Sequence, residues 1–273
     1  MGHRMSPPDA STPHRPKNPS QRWYDDYFGA HYIATYRDRL SDQRTAQEVD
    51  LIVRALGIAP GARVLDSACG HGRHALELAA RGYEVVGVDI NPFAIELANK
   101  GAAERGLTDR VRFLRQDLRD LTFVEAFDGA FNYFTSFGWL ESEAEDERAL
   151  HAITCALKNG ATFMLETMNL YHVAAVFRPT DEWEVYSTGY SMMAEREWDV
   201  IQGRMHEWRT IRDPKGVEHR YDAHLRIYSP TELSAMFWRV GLNVEQALDA
   251  PSGKACTLGS MRLALVGRRG NGA

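Results

Sequence analysis

Apolar and polar positions along the chain repeat with two periods that take turns. Val49, Ile52, Val53 and Leu56 recur at helical spacing and stop at Gly57, which predicts a helix. Pro60-Gly61 turns the chain into a strand, Ala62 to Asp66. A helix containing Ala75, Leu76, Leu78 and Ala79 precedes a second strand, Glu84 to Asp89. Asn91-Pro92 then opens another helix, with Asn as N-cap and Pro at the first helical position. Val111 to Arg115 and Phe127 to Tyr133 read as a third and a fourth strand. The acidic run Glu141 to Glu147 leads a helix carrying Leu150, Ile153 and Leu157, and Asn159-Gly160 is expected to end it. Ala161 to Thr167 is the fifth strand. Strands alternating with helices predict a Rossmann-like, doubly wound α/β fold with a mostly parallel sheet.

The rhythm changes between Trp183 and Tyr228. Alternating residues and turn signals at Gly203 and Pro214-Lys215-Gly216 predict strands near 183–187, 191–199, 204–212 and 218–228, a small antiparallel β insertion. Ser229-Pro230-Thr231-Glu232 restarts a helix that ends at Gly241, followed by strands Asn243 to Leu248 and Arg262 to Val266. Ahead of all this, Trp23 to Tyr36 is dense in aromatics and reads as helices packing over something else. The expected organisation is a disordered arm over 1–20, a helical lid over 21–44 and a core over 45–170. A β-rich cap over 171–228, the core's last helix and hairpin over 229–268 and a tail over 269–273 complete it.

Composition narrows the partners. A net charge of -5 gives no global positive field, so neither nucleic acid nor anionic lipid is expected. Cys69, Cys155 and Cys256 show no CxxC pairing and no His/Cys ligand spacing. Neither a disulfide framework nor a metal site is therefore expected, and a reducing cytoplasm is the natural setting. No stretch approaches membrane-spanning length, and the N-terminal stretch, rich in Pro, Ser and charge, has no apolar signal region.

The candidate chemistry sits at strand ends. In Val64-Leu65-Asp66-Ser67-Ala68-Cys69-Gly70-His71-Gly72-Arg73 a strand ends in a carboxylate and a glycine loop opens a helix. Gly70 and Gly72 let backbone approach a ligand, and a helix N-terminus offers N–H groups to a carboxylate. Asp66 can accept from an ammonium, so the loop suits the amino-acid end of S-adenosylmethionine (SAM). Asp89, closing Val86-Gly87-Val88-Asp89, can accept both hydroxyls of a ribose. Asp117 in Arg115-Gln116-Asp117-Leu118 can accept from an adenine amino group, and Asn132 ends the fourth strand beside the same crevice. Gly70 and Gly72 alone would also serve a plain tight turn. It is the series of acidic strand ends that outweighs this.

The run from Val64 to Asn132 resembles the class I SAM-dependent methyltransferases, and the last two strands resemble that family's closing antiparallel hairpin. The Cys-Gly-x-Gly-Arg form, the aromatic N-terminal segment and the β insertion look most like its small-molecule branch. The resemblance implies SAM as cofactor, held by Asp66, Ala68, Gly70, Gly72, Asp89, Ile90, Asp117, Leu118 and Asn132, with Tyr24, Tyr32 and Arg44 closing over it. Ala68 departs from a frequent glycine and asks for an ordinary backbone conformation there; His71 has no implied role. Cys69 reads as a small packed residue rather than a nucleophile.

Acceptor-side residues are expected at the ends of the fourth and fifth strands, in the aromatic segment and in the insertion. They are Tyr27, Thr135, Asn169, Tyr171, Trp198, Arg226 and Tyr228, with Ser136 and Trp208 nearby. Tyr133, Glu166 and His172 are candidate catalytic groups, although no spacing singles out a base. A small-molecule acceptor at N, O or C is expected, and both monomer and homo-oligomer stay open. The alternatives are a SAM-binding protein without catalysis, a protein or peptide N-methyltransferase, and a NAD(P)-dependent oxidoreductase. Gly70-x-Gly72-x-x-Ala75 satisfies the dinucleotide fingerprint, but a pyrophosphate there would face the Asp66 carboxylate.

Overall fold

A computed structural model describes residues 27–250 and 252–270. Tyr24, the expected arm over 1–20 and the last three positions of the tail lie outside the described residues. The first described helix is α1 (Ala30–Tyr36), followed by a 3-10 turn (Arg37–Arg39) and α2 (Asp42–Leu56). The Ser41 side chain accepts from the Arg44 amide at the start of α2, and Gly57 ends the helix at φ 65. Val49 and Ile52, one face of α2, are fully buried. Burial of side chains this size stabilises the fold by roughly 1.5–3 kcal/mol each.

The chain then alternates through β1 (Arg63–Ser67), α3 (Arg73–Ala80), β2 (Glu84–Asp89), α4 (Pro92–Glu104) and β3 (Val111–Arg115). β4 (Phe127–Asn132), α5 (Glu143–Ala156) and β5 (Leu157–Met168) follow. Asn91 caps α4 through a bond from the Ala94 amide, with Pro92 in the first turn. One boundary differs from expectation: α5 runs directly into β5, and Asn159-Gly160 lies inside the strand. Leu157 pairs with Phe127 and Thr162 with Gly129, so the intervening residues form an irregular hump with Gly160 at φ 74.

After α6 (Leu170–Val176) come β6 (Thr180–Val185), β7 (Tyr190–Asp199), β8 (Arg204–Arg212) and β9 (Glu218–Arg226), a separate antiparallel sheet in that order. Neither α6 nor the early start of β6 was anticipated. Asn169 caps α6 through the Tyr171 amide, an Asx signal in a stretch between the fifth strand and the insertion to which no element is assigned from sequence. α7 (Pro230–Arg239) opens with a capping box between Ser229 and Glu232, and β10 (Leu242–Asp249) and β11 (Arg262–Arg269) finish the core.

The main sheet has the order β10-β11-β5-β4-β1-β2-β3, in which β11 alone runs against the others, antiparallel to both β5 and β10. Leaving β1, the chain builds outward through β2 and β3 and returns on the other side of β1 with β4. That reversal is the topological switch point, and it opens a crevice beyond the carboxyl ends of β1 and β4. Over the crevice, α1 is fastened to the smaller sheet. The rings of His31 and His219 stack at 3.8 Å, and Thr188 Oγ1 donates to the Ala34 carbonyl at 3.2 Å.

Candidate cofactor and acceptor cavity

A cavity of about 730 Å³ runs from the β1–α3 loop to the smaller sheet, with α1 as its roof. That size accommodates a nucleoside-sized ligand with a small partner beside it. The loop is curled by three left-handed residues in five: Ala68 at φ 64, Gly70 at φ 54 and Gly72 at φ 80. The left-handed Ala68 corrects the expectation of an ordinary conformation there. The curl is locked by the Cys69 amide donating to the Val88 carbonyl at 3.0 Å. Gly72 has a second constraint, because a Cβ there would come within 2.6 Å of the Phe113 ring. Gly87 meets the same ring at the same distance, so both motif glycines make room for Phe113 beneath the loop.

Asp89 lies on the cavity wall at the end of β2. Its Oδ2 accepts from the Gly70 amide at 2.8 Å and its Oδ1 from the Asn91 amide at 2.9 Å. Burial raises its pKa, opposed by those two backbone bonds. Ile90 and Leu118 flank it with apolar surface. Asp117 is also on the wall, with Arg119 bonded to both carboxylate oxygens.

Other expected residues stand elsewhere. Asp66 is 2% exposed and behind the loop, where the Ala75 amide bonds its carboxylate. Burial, with Asp89 nearby, pushes it up to about 8 against the pull of Arg73. Asn132 is buried and donates to the Ser67 carbonyl at 2.8 Å, tying β4 to β1 instead of facing the cavity. Gly72 likewise lies beneath the wall.

On the acceptor side, Tyr27, Tyr32, Arg44, Tyr133, Thr135 and Ser136 line the cavity. Asn169, Tyr171, His172, Trp198, Arg226 and Tyr228 do not, and the contacts give the reasons. Asn169 is spent on the Ser260 and Thr257 carbonyls. Arg226 pairs with Glu232 and bonds the Gly203 and Ile227 carbonyls. The Tyr228 hydroxyl donates to buried Asp146 at 2.7 Å. Tyr171 points outward, 40% exposed, and Trp198 packs against Phe177. Glu166 is fully buried and ion-paired to Arg262. Its Oε2 also accepts from the Phe134 amide at 2.7 Å, so it is a tie rather than a base.

Sequence reasoning named Arg44 but missed the rest of the cationic wall it belongs to. Arg44, Arg73 and Arg262 gather around the Phe134 ring, their guanidinium carbons 5.5, 5.3 and 5.4 Å from its centroid. Phe134 and Thr135 are both left-handed, at φ 67 and 57. Glu48 holds Arg44, Arg73 and His74 together. Burial is the largest single influence on its carboxyl and would raise it, but the bonds and charges of His74 and Arg73 together outweigh that and depress it to about 2. Arg73 Nη2 is nonetheless buried without a hydrogen-bond partner. Beyond Phe134 the wall continues as Glu207 and Arg209 of β8 and Arg196 of β7. The signal for these was available in the parity of β8. Met205, Glu207, Arg209 and Ile211 share its inward face, whereas Trp208 is on the other, 36% exposed.

A cofactor with a ribose, a base and a free carboxylate fits these residues. Asp89 offers carboxylate acceptors, Ile90 and Leu118 an apolar slot, and the orphaned Arg73 Nη2 a buried donor that a carboxylate would satisfy. Among the described residues no His/Cys/Asp/Glu cluster suits a metal, and no helix is long and apolar enough to cross a membrane.

Comparison with known proteins agrees with this geometry. A family profile described as "Methyltransferase domain" matches residues 58–213. The chain is 25% identical over 242 residues to the dTDP-3-amino-3,4,6-trideoxy-alpha-D-glucopyranose N,N-dimethyltransferase of Streptomyces venezuelae, covering 86% of this chain and 96% of that one. It is 48% identical over 68 residues to the 2-heptyl-1-hydroxyquinolin-4(1H)-one methyltransferase of Mycobacteroides abscessus, but spans only 28% of that relative. In structure it is similar to the CcbJ methyltransferase from Streptomyces caelestis, with TM-score 0.78 at 21% identity, covering 90% of this chain and 99% of the other.

Proposed function

We propose that this chain, which belongs to the class I SAM-dependent methyltransferases by its match over residues 58–213, methylates an amine on a small molecule. The acceptor lies between the α/β core and the smaller sheet. One observation carries the choice of an amine: among the described residues, each carboxylate at the acceptor end is already engaged. Glu166 is bound by Arg262, Glu207 by Arg196 and Arg209, and Asp146 by the Tyr228 hydroxyl, while Asp181 at the mouth pairs with Arg196 at 3.8 Å. His71, on the wall, is pushed down to about 4 by burial and by Arg73, so it is a weak base at neutral pH. An unactivated hydroxyl would need a base there. A neutral amine attacks with its own lone pair and sheds its proton afterwards. The full-length relative named for methylating an amino sugar supports the same acceptor class.

When bound, SAM supplies a methyl group already activated on a sulfonium, so alignment and exclusion of water are the protein's tasks. Asp89 holds the ribose, Ile90 and Leu118 flank the base, and Arg73 receives the carboxylate. Phe134, pinned by Glu166, sets the floor where cofactor and acceptor meet. Residues 27–44 act as the lid and the smaller sheet as the cap, in a cytoplasmic enzyme with no nucleic-acid partner.

Calorimetry with SAM, its demethylated product, NAD and NADP tests the cofactor, and we expect binding of the first two alone. Mass spectrometry of an acceptor panel should then show one added methyl on amine-bearing sugars and none on their hydroxyl-only analogues. Methylation of the hydroxyl analogues but not of the amines would overturn the amine assignment. NAD binding without SAM binding would overturn the activity.

A further inference from the structure

We propose that the acceptor carries an oxyanion, a phosphate or a carboxylate, received by Arg39, Arg209 and the Tyr36 hydroxyl where α1 meets the smaller sheet. This rests on the methyltransferase reading and extends it to what the acceptor must bear. Glu207 is a single carboxylate shared by two guanidinium groups, its Oε1 bonded by Arg209 Nε and its Oε2 by Arg196 Nε. Asp181 reaches only Arg196, at 3.8 Å. Arg39 adds a third cation whose contacts are aromatic, 4.9 Å from the Trp183 ring centroid and 5.9 Å from that of Tyr36. Three guanidinium groups thus face two carboxylates on one stretch of wall.

The free donors converge on Tyr36. Its hydroxyl accepts from Arg209 Nη1 at 3.0 Å, and burial keeps its own proton on the oxygen, available to donate. Arg209 Nη2 makes no hydrogen bond among the described residues and is not sealed within the protein. Arg209 is 11% exposed, and burial pushes its guanidinium down to about 9. A network built only for structure would close its donors on itself. A planar fork left half open matches an oxyanion.

The test uses full-length protein saturated with the demethylated cofactor product, titrated with inorganic pyrophosphate or acetate at constant ionic strength. At least one should bind saturably, and which one binds distinguishes a phosphate-bearing acceptor from a carboxylate-bearing one. Arg209→Lys, which keeps the charge beside Glu207 but loses the fork, and Arg39→Ala at the exposed mouth should each weaken that binding roughly 10-fold or more. Affinity for the cofactor product should stay at the parent value in both. Absence of saturable binding by either anion, or binding unchanged in both variants, overturns the proposal and leaves the methyltransferase reading standing. Failure of the parent protein to bind the cofactor product would overturn the methyltransferase reading, and the proposal with it.

Discussion

Asp89→Ala should cost SAM and its demethylated product roughly 100-fold or more in affinity. The carboxylate has two duties, and alanine removes both. It fixes the loop by accepting from the Gly70 and Asn91 amides, and in the proposed cofactor complex its remaining lone pairs receive the ribose. Hydrogen bonds to a charged group are worth about 1.5–3 kcal/mol each, and two lost together reach that range. The fold should tolerate the change, because an ionised carboxylate beside buried Asp66 is itself costly. Asp89→Asn, able to accept one of the two amides, should fall between parent and alanine variant. Calorimetric titration with thermal unfolding as a control decides it; an alanine variant with parental affinity would remove Asp89 from the cofactor site.

Glu166→Ala should produce the largest loss of stability. Its carboxylate is fully buried, holds Arg262 by two oxygens and fixes the left-handed turn at Phe134. Truncation leaves Arg262 charged and without its carboxylate, and such breakage costs about 3–5 kcal/mol. For a chain of this size that lowers the unfolding midpoint by roughly 10 °C. Glu166→Gln retains an acceptor for Phe134 and one for Arg262, so it should recover most of the fold and a measurable turnover. An alanine variant as stable as the parent would refute the tie. A glutamine variant folded like the parent but inactive would restore Glu166 as the base.

The alternation of periods made the core legible, because buried parallel strands and their covering helices write their own spacing. Strand-end acids followed from the same frame: Asp89 and Asp117 are on the wall as read, and their neighbours Ile90 and Leu118 with them. What sequence did not show has separate physical causes. Arg73 with Glu48 and Arg262 with Glu166 are pairs distant in sequence, 25 and 96 positions apart. Nothing local in the sequence marks such pairs. Large aromatics drew attention to Trp198 and Trp208, while the parity that places Glu207 and Arg209 inward went unused. Asp66 and Asn132 were at the correct strand ends, yet residues before a sharp loop can face inward and be consumed by backbone partners.

The left-handed alanine in the loop has a consequence for how freely this position drifts. Holding Ala68 at φ 64 costs about 1–2 kcal/mol in the folded chain, a strain that glycine would relieve. Glycine would in turn widen the unfolded ensemble, an opposing cost of about 0.4–1 kcal/mol. The two nearly cancel, so Ala68→Gly should shift the unfolding midpoint by no more than a few degrees, and a shift above roughly 10 °C would contradict the balance. Selection on stability is then almost blind to the exchange, and a lineage can cross between the two residues without a compensating change elsewhere.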